Sequence, residues 1–320
     1  MVVKVGPFII SPCTSSLSTT DILEKKIATI IIVDSSCTGS LREIGRVGVP
    51  VIEFILPPSG VRPVEELNEL ALVVKPIVKS DHNILIQGSG DLDNRSYLIA
   101  GIALMALNVN STLPGPLTLT QDLALTWYSR LVSKMGMEVV HQLYELGKLY
   151  EFGAGVEHAS TVANLSLDLL TALGELFKPE DEELKALYAA GLLHDLGRFF
   201  AEYKHEETGV RILEHHVETL STIVDPKLTV FLVKHHRRRS NPEQDPLYTD
   251  FGKDGLLLTA ILRLADSFTN IYGKEEYWGT ALETNKLLVT ARGVDKHRFE
   301  SKGKLLEETT GLSLELKHPY

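Results

Sequence analysis

The stretch GLLHDLGRFF, residues 191–200, decides how the C-terminal half is read. Leu184, Leu187 and Gly191 step along one helix face and lead to His194 and Asp195. The polar pair is therefore turned towards a core. A buried imidazole or carboxylate is costly unless it is paired or ligated. Working outward, the same conflict recurs. Upstream, EHASTVANLSLDLL (157–170) sets His158 on the face of Val162, Leu165 and Leu169. Downstream, HEETGVRIL (205–213) sets His205 with Gly209 and Ile212. The apolar run Leu228–Val233 ends in His235 and His236, and ILRLADSFTN (261–270) aligns Asp266 with Leu258 and Leu262. Several such groups converging on one core point to a bound cation. Imidazole and carboxylate donors without thiolate suit a divalent ion: Mn, Fe, Mg, Ni or Zn. One or two ions per chain are expected.

The order His158, His194-Asp195, Asp266 resembles the HD superfamily of metal-dependent phosphohydrolases. The resemblance covers about 120 residues, roughly 150 to 270. It implies that His158, His194, Asp195 and Asp266 bind metal. His205, His235 and His236 stand where dinuclear members carry further ligands. Asp195, His194 and Arg237 are the expected catalytic set. Lys204, Arg237 and Arg238 are expected to hold a substrate phosphate; Lys234 and Arg239 flank the same double histidine. Gly197 is expected to serve close helix packing, and His215 and His216 are set outside the site. LLHDLGRFF, KHEETGVRIL, VKHHRRRSNP and LLLTAILRLADS also look like the helical domain of the exopolyphosphatase and guanosine-pentaphosphate phosphatase family. The actin-like half of that family is absent, so this second likeness bears on the fold rather than on the substrate.

The first ~105 residues alternate strand-like and helix-like segments. Strands are expected at Ala28–Val33, Val51–Leu56 and Asn83–Gln87, with helices at Leu41–Val47, Pro63–Val78 and from Asn94 to Leu107. That order predicts an α/β domain on a mostly parallel sheet. ILIQGSGDLDNRSYLIAGIALM (84–105) resembles the phosphate loop and following helix of dual-specificity, cysteine-based phosphatases. Arg95-Ser96 match the signature, but Ser89 stands where the nucleophilic cysteine belongs. A serine hydroxyl does not replace a low-pKa thiolate unaided. FILPPSGVRP (54–63) also lacks the general-acid aspartate. The expectation is an inactive phosphatase-like domain, with Ser89 and Arg95 at most binding an anion at a helix start.

A turn-rich linker at Thr112–Pro116 predicts two domains, 1–110 and 111–320, the second an all-α domain with a small strand appendage at Lys286–Thr290 and Leu312–Leu316. The net charge of −10 makes nucleic acid and anionic membranes unexpected partners. The N-terminus lacks the pattern of a signal peptide. The two cysteines predict no disulfide framework, which fits a cytoplasmic setting. The expected partner is a small phosphorylated substrate, a nucleotide or other metabolite; a homo-oligomer is compatible. The competing expectation is a non-catalytic sensor of phosphorylated ligands.

Overall fold

The computed structural model describes residues 3–13, 18–40, 48–57, 60–78, 80, 82–88, 94–106 and 117–319. It divides into two compact units, Met1–Met137 and Glu138–Tyr320.

The first unit is built on a five-stranded sheet in the order β1-β2-β5-β3-β4. The strands are β1 (Val3–Val5), β2 (Phe8–Pro12), β3 (Ile27–Ile32), β4 (Val51–Glu53) and β5 (Asn83–Gly88). Among the described residues of this sheet only the β1–β2 pair is antiparallel; β2–β5, β5–β3 and β3–β4 run parallel. Central parallel strands are covered on both faces and so read as unbroken apolar runs rather than alternating ones. Ile30, Ile31, Ile32 in β3 and Ile84, Leu85, Ile86 in β5 are all fully buried. Helices Val64–Val78 and Asn94–Ala106 follow the expected spacing. The helix expected at Leu41–Val47 and the linker at Thr112–Pro116 lie outside the described residues. The β1–β2 hairpin and helix Thr19–Glu24 have no counterpart in the sequence expectation.

The unit closes later than position 110. Helix Leu119–Lys134 is started by a capping box of Thr118 and Gln121 and packs on the two preceding helices. It buries Trp127, Tyr128 and Leu131 in this unit. The cysteine expectation is also corrected. Strands β2 and β3 flank β5 in parallel, so their C-terminal ends share one sheet edge. Cys13 and Cys37 follow those ends and are disulfide-bonded, with Cα atoms 5.0 Å apart.

The second unit is helical: Val156–Ala172, Asp181–Leu193, His205–His215, Val217–Ser221, Pro226–His235 and Tyr248–Ala265. Val156–Ala172 and Asp181–Leu193 approach closely because Gly191 has no side chain; a Cβ there would lie 2.6 Å from Ala163 Cα. The appendage is a second sheet, β6 (Glu276–Glu283), β7 (Lys286–Arg292) and β8 (Ser313–Lys317), in that order. β6–β7 is antiparallel and β7–β8 parallel, as a crossover helix requires. That helix, Lys296–Thr310, starts at an Asp295 cap and packs on Tyr248–Ala265. It lays a basic face beside the end of the helix that leads to Asp266. Among the described residues no helix is long and apolar enough to cross a membrane.

Candidate metal centre

Four histidines reach the interior of the helical unit from four helix ends, and each is anchored in the same way. The Nδ1 of His158 lies 3.1 Å from Thr269 O, that of His194 2.8 Å from Gly191 O, that of His205 3.0 Å from Glu202 O, and that of His236 2.7 Å from Val233 O. A carbonyl only accepts, so Nδ1 carries the proton and Nε2 offers a lone pair. Metal-ligating histidines are oriented by this same arrangement.

The Nε2 atoms converge on two carboxylates. His158 and His194 lie 3.7 and 3.5 Å from Asp195 Oδ2, and 3.5 and 3.9 Å from Asp266 Oδ1. His205 and His236 lie 3.1 and 3.8 Å from the other oxygen, Asp195 Oδ1. The donors therefore form two groups: His158, His194 and Asp266, and Asp195, His205 and His236, with donor atoms inside each group within 4.8 Å. Asp195 stands between them with one oxygen towards each.

Two tests show that these residues fit a cation. His194 Nε2 and Asp195 Oδ2 are buried and make no hydrogen bond. Such orphans are rare without a ligand. His205 Nε2 and His236 Nε2 also stand 3.2 Å apart with both protons on Nδ1, an arrangement of facing lone pairs that a cation between them relieves. The protonation states agree. Burial pushes His236 down to about 3 and lowers His194, so both are neutral at pH 7. Burial works to raise the Asp195 carboxyl, yet it stays below the usual range. Asp266 is likewise held well below the usual range against its burial, with the Lys302 ammonium beside it.

The surroundings hold this geometry. Lys302 Nζ pairs with Asp266 Oδ2, and Arg298 Nη2 donates to Asp266 O and lies 3.1 Å from Oδ1. Arg198 Nε sits 2.9 Å from Asp195 Oδ2, without hydrogen-bond alignment, and Nη1 is 3.2 Å from Glu202. Arg263 donates to His235 O at 2.8 Å and Ser240 O at 2.9 Å, which fixes the helix end that carries His236. The chain before His158 is unusual: Glu151, Phe152, Gly153 and Gly155 all have positive φ. A Cβ on Gly153 would lie 1.8 Å from Asp195 O, so this loop rests on the backbone of the doublet. At Gly197 a Cβ would meet His205 O at 1.9 Å, so close packing is its role.

One expected ligand is misplaced. His235 Nε2 binds Asp245 Oδ2 at 2.9 Å, where Lys234 also pairs at 2.6 Å. Adjacent residues on a helix are about 100° apart, so only one of two consecutive histidines faces a given centre. Among the expected phosphate ligands, Arg237 lies beside the cluster, with Nη1 3.4 Å from His205 Nε2. Arg238 instead reaches Ser301, Lys204 pairs with Glu207 at 2.9 Å, and Arg239 pairs with Glu206. His216 meets the Tyr150 hydroxyl at 2.9 Å, apart from the cluster. In the first unit, Ser89 lies outside the described residues, and Arg95 is ion-paired with Asp34. The partly buried Arg95 guanidinium thus has the carboxylate that follows β3 as a counter-charge. Arg198, Arg298, Lys302 and Arg263 were not expected in the site. Arg298 and Lys302 lie beyond the region of the motif, and only their three-to-four spacing with basic neighbours on one helix could have signalled them.

With this geometry in view, comparison with family models matches residues 155–271 to the HD domain. The match starts just before His158 and ends after Asp266, so it spans both donor groups. An HD domain implies divalent-metal binding and, in general, metal-dependent hydrolase activity. Comparison with curated proteins finds no match to the chain.

Proposed function

We propose that the helical unit is a metal-dependent phosphohydrolase in which two donor groups, with Asp195 facing both, would each hold a divalent ion. The observation that carries this reading is the common anchoring of His158, His194, His205 and His236, each Nδ1 on a backbone carbonyl and each Nε2 turned to Asp195 or Asp266. His158, His194, Asp266 and Asp195 would hold one ion; Asp195, His205 and His236 the other. Such ions supply Lewis acidity towards a phosphoryl oxygen and acidify the water that they hold. The chain's own contribution is positional. Lys302 and Arg298 keep Asp266 Oδ1 on the histidine side. Arg237 presents a guanidinium beside His205 for a substrate oxygen that gains charge as the ester bond breaks.

The first unit is proposed as a non-catalytic partner of the helical one, since its loop lacks the thiol and its Arg95 is engaged by Asp34. A cytoplasmic setting is proposed on charge and composition; the Cys13–Cys37 bond is the observation that stands against it. The experiment is metal analysis of the purified chain, followed by phosphate release from a panel of phosphoesters with Mn, Fe, Mg, Ni and Zn. Asp195→Ala should lose bound metal and turnover together while its far-ultraviolet circular dichroism persists. Full turnover in that variant would end the reading.

A further inference from the structure

Beside the first donor group lies a pocket of about 290 Å³, lined by Ala154, Glu157, His158, Arg198, Thr269, Asn270, Lys274 and Arg298. We propose that it receives the phosphate of a small, polar phosphomonoester, and that Lys274 and Arg298 select for its second negative charge. The proposal rests on the two-ion reading for the reacting end of the substrate.

Arg198, Lys274 and Arg298 bring positive charge, and Glu157 is the opposing carboxylate in the lining. Arg198 and Arg298 also touch Asp195 and Asp266, whose charges the ions would neutralise. Arg298 then has the pocket as the place for a counter-charge, while Arg198 keeps Glu202 3.2 Å from Nη1. A net surplus near two matches the dianion of a monoester, whose second ionisation lies near pH 6, better than the single charge of a diester. The pocket also opens at the start of helix Val156–Ala172, whose Gly155 cap provides no side chain to the first turn. Helix starts of this kind attract anions. Asn270 accepts from Tyr272 N through Oδ1, which leaves its amide as the group it can offer.

The size and lining argue for a small alcohol portion. The volume is at the low end of small-molecule sites, roughly 300–1,000 Å³. Ala154 is the one apolar residue of the lining, which holds no Phe, Tyr or Trp ring for a nucleobase to stack on; its one ring, the imidazole of His158, belongs to the donor group. Lys274 and Arg298 both lie beyond residue 271, outside the matched domain. Selectivity is thus assigned to the appended segment rather than to the common metal core.

The test is calorimetric binding of inorganic phosphate, methyl phosphate, dimethyl phosphate and adenosine monophosphate to the full chain loaded with Mn, with metal content measured on every sample. Methyl phosphate should bind at least tenfold more tightly than dimethyl phosphate. Lys274→Ala, at a side chain that makes no hydrogen bond or ion pair with a proposed metal ligand among the described residues, should weaken phosphate binding about fivefold or more at unchanged metal content. Arg298→Lys should retain part of the affinity that Arg298→Ala loses. Wild-type phosphate affinity in Lys274→Ala and Arg298→Ala, with metal in place, would overturn the proposal. So would adenosine monophosphate binding tenfold more tightly than methyl phosphate. If the wild-type chain takes up no metal, the two-ion reading fails by itself. The pocket is then judged on the metal-free chain, where phosphate binding that is absent or indifferent to Lys274 overturns it.

Discussion

At the scale of single residues, the adjacent histidines separate ligand from support. His236 faces Asp195 Oδ1, whereas His235 is held by Asp245. His236→Ala should therefore remove close to one ion per chain, and His235→Ala should leave metal content near wild type while lowering stability. Emission spectroscopy of the two purified variants checks this; equal metal loss in both would refute the assignment. The neutral histidines also set an acid limit for the metal-stripped protein. His236 sits at about 3 in the fold, against about 6.5 in an unfolded chain. Between those values the unfolded state binds the extra proton, so stability is full above pH 6.5 and falls as pH drops below it. His194 shifts in the same direction. Each such residue contributes a slope of up to about 1.4 kcal/mol per pH unit. The lowered carboxylates, Asp195 and Asp266, add their loss only at still lower pH. Urea denaturation of stripped protein from pH 8 to 4.5 should show the decline; a flat profile would contradict buried neutral histidines.

At the scale of elements, the site depends on how closely two helices meet. Gly191 lets Asp181–Leu193 rest on Ala163, and His194 follows at that helix's end. Gly191→Val would force the backbones apart and should cost about 1–3 kcal/mol, the usual penalty for overpacking a filled core. Its urea midpoint should fall and its metal affinity with it; an unchanged midpoint would show that the contact yields. Helices and their polar positions were legible because a 3.6-residue period exposes any polar group set on an apolar face. Parallel strands β3 and β5 were legible because burial on both faces leaves an unbroken aliphatic run. Strand β6 was not, since its burial alternates weakly around Trp278 and Gly279, and its register shifts between Tyr277 and Gly279. The site's donors were legible except for the choice between His235 and His236, which sequence order does not resolve but helix rotation does. Arg198, Arg263, Arg298 and Lys302 were hidden for a different reason. A basic residue in a helix is ordinarily a solvated one, and only tertiary contact makes Arg263 a buried donor to His235 O.

At the scale of the whole molecule, the two units differ in what holds their cores together. The first relies on aliphatic strands and helices, with Ile30, Ile32, Leu85 and Ile9 in one cluster. The second buries Asp195 and Asp266 at helix ends beside neutral imidazoles, and leaves His194 Nε2 and Asp195 Oδ2 without hydrogen bonds. Buried carboxylates near one another repel unless cations offset them. Metal binding should accordingly stabilise the second unit by mass action, by about 2.7 kcal/mol when free metal is one hundred times its Kd. The first unit holds no member of either donor group and should gain nothing. Calorimetry of the full chain, stripped with chelator and then reloaded, should show a metal-dependent rise in the transition that belongs to residues 138–320. That transition is assigned by the hydrogen exchange of its helices near the melt. In Asp195→Ala the rise should vanish, because the substitution removes a member of one donor group and the carboxylate oxygen that faces the other. In His236→Ala it should shrink rather than vanish, because His158, His194, Asp266 and Asp195 Oδ2 remain. Equal rises in wild type and Asp195→Ala would mean that the metal stabilises the chain from elsewhere, and the bridging role of Asp195 would be lost with it.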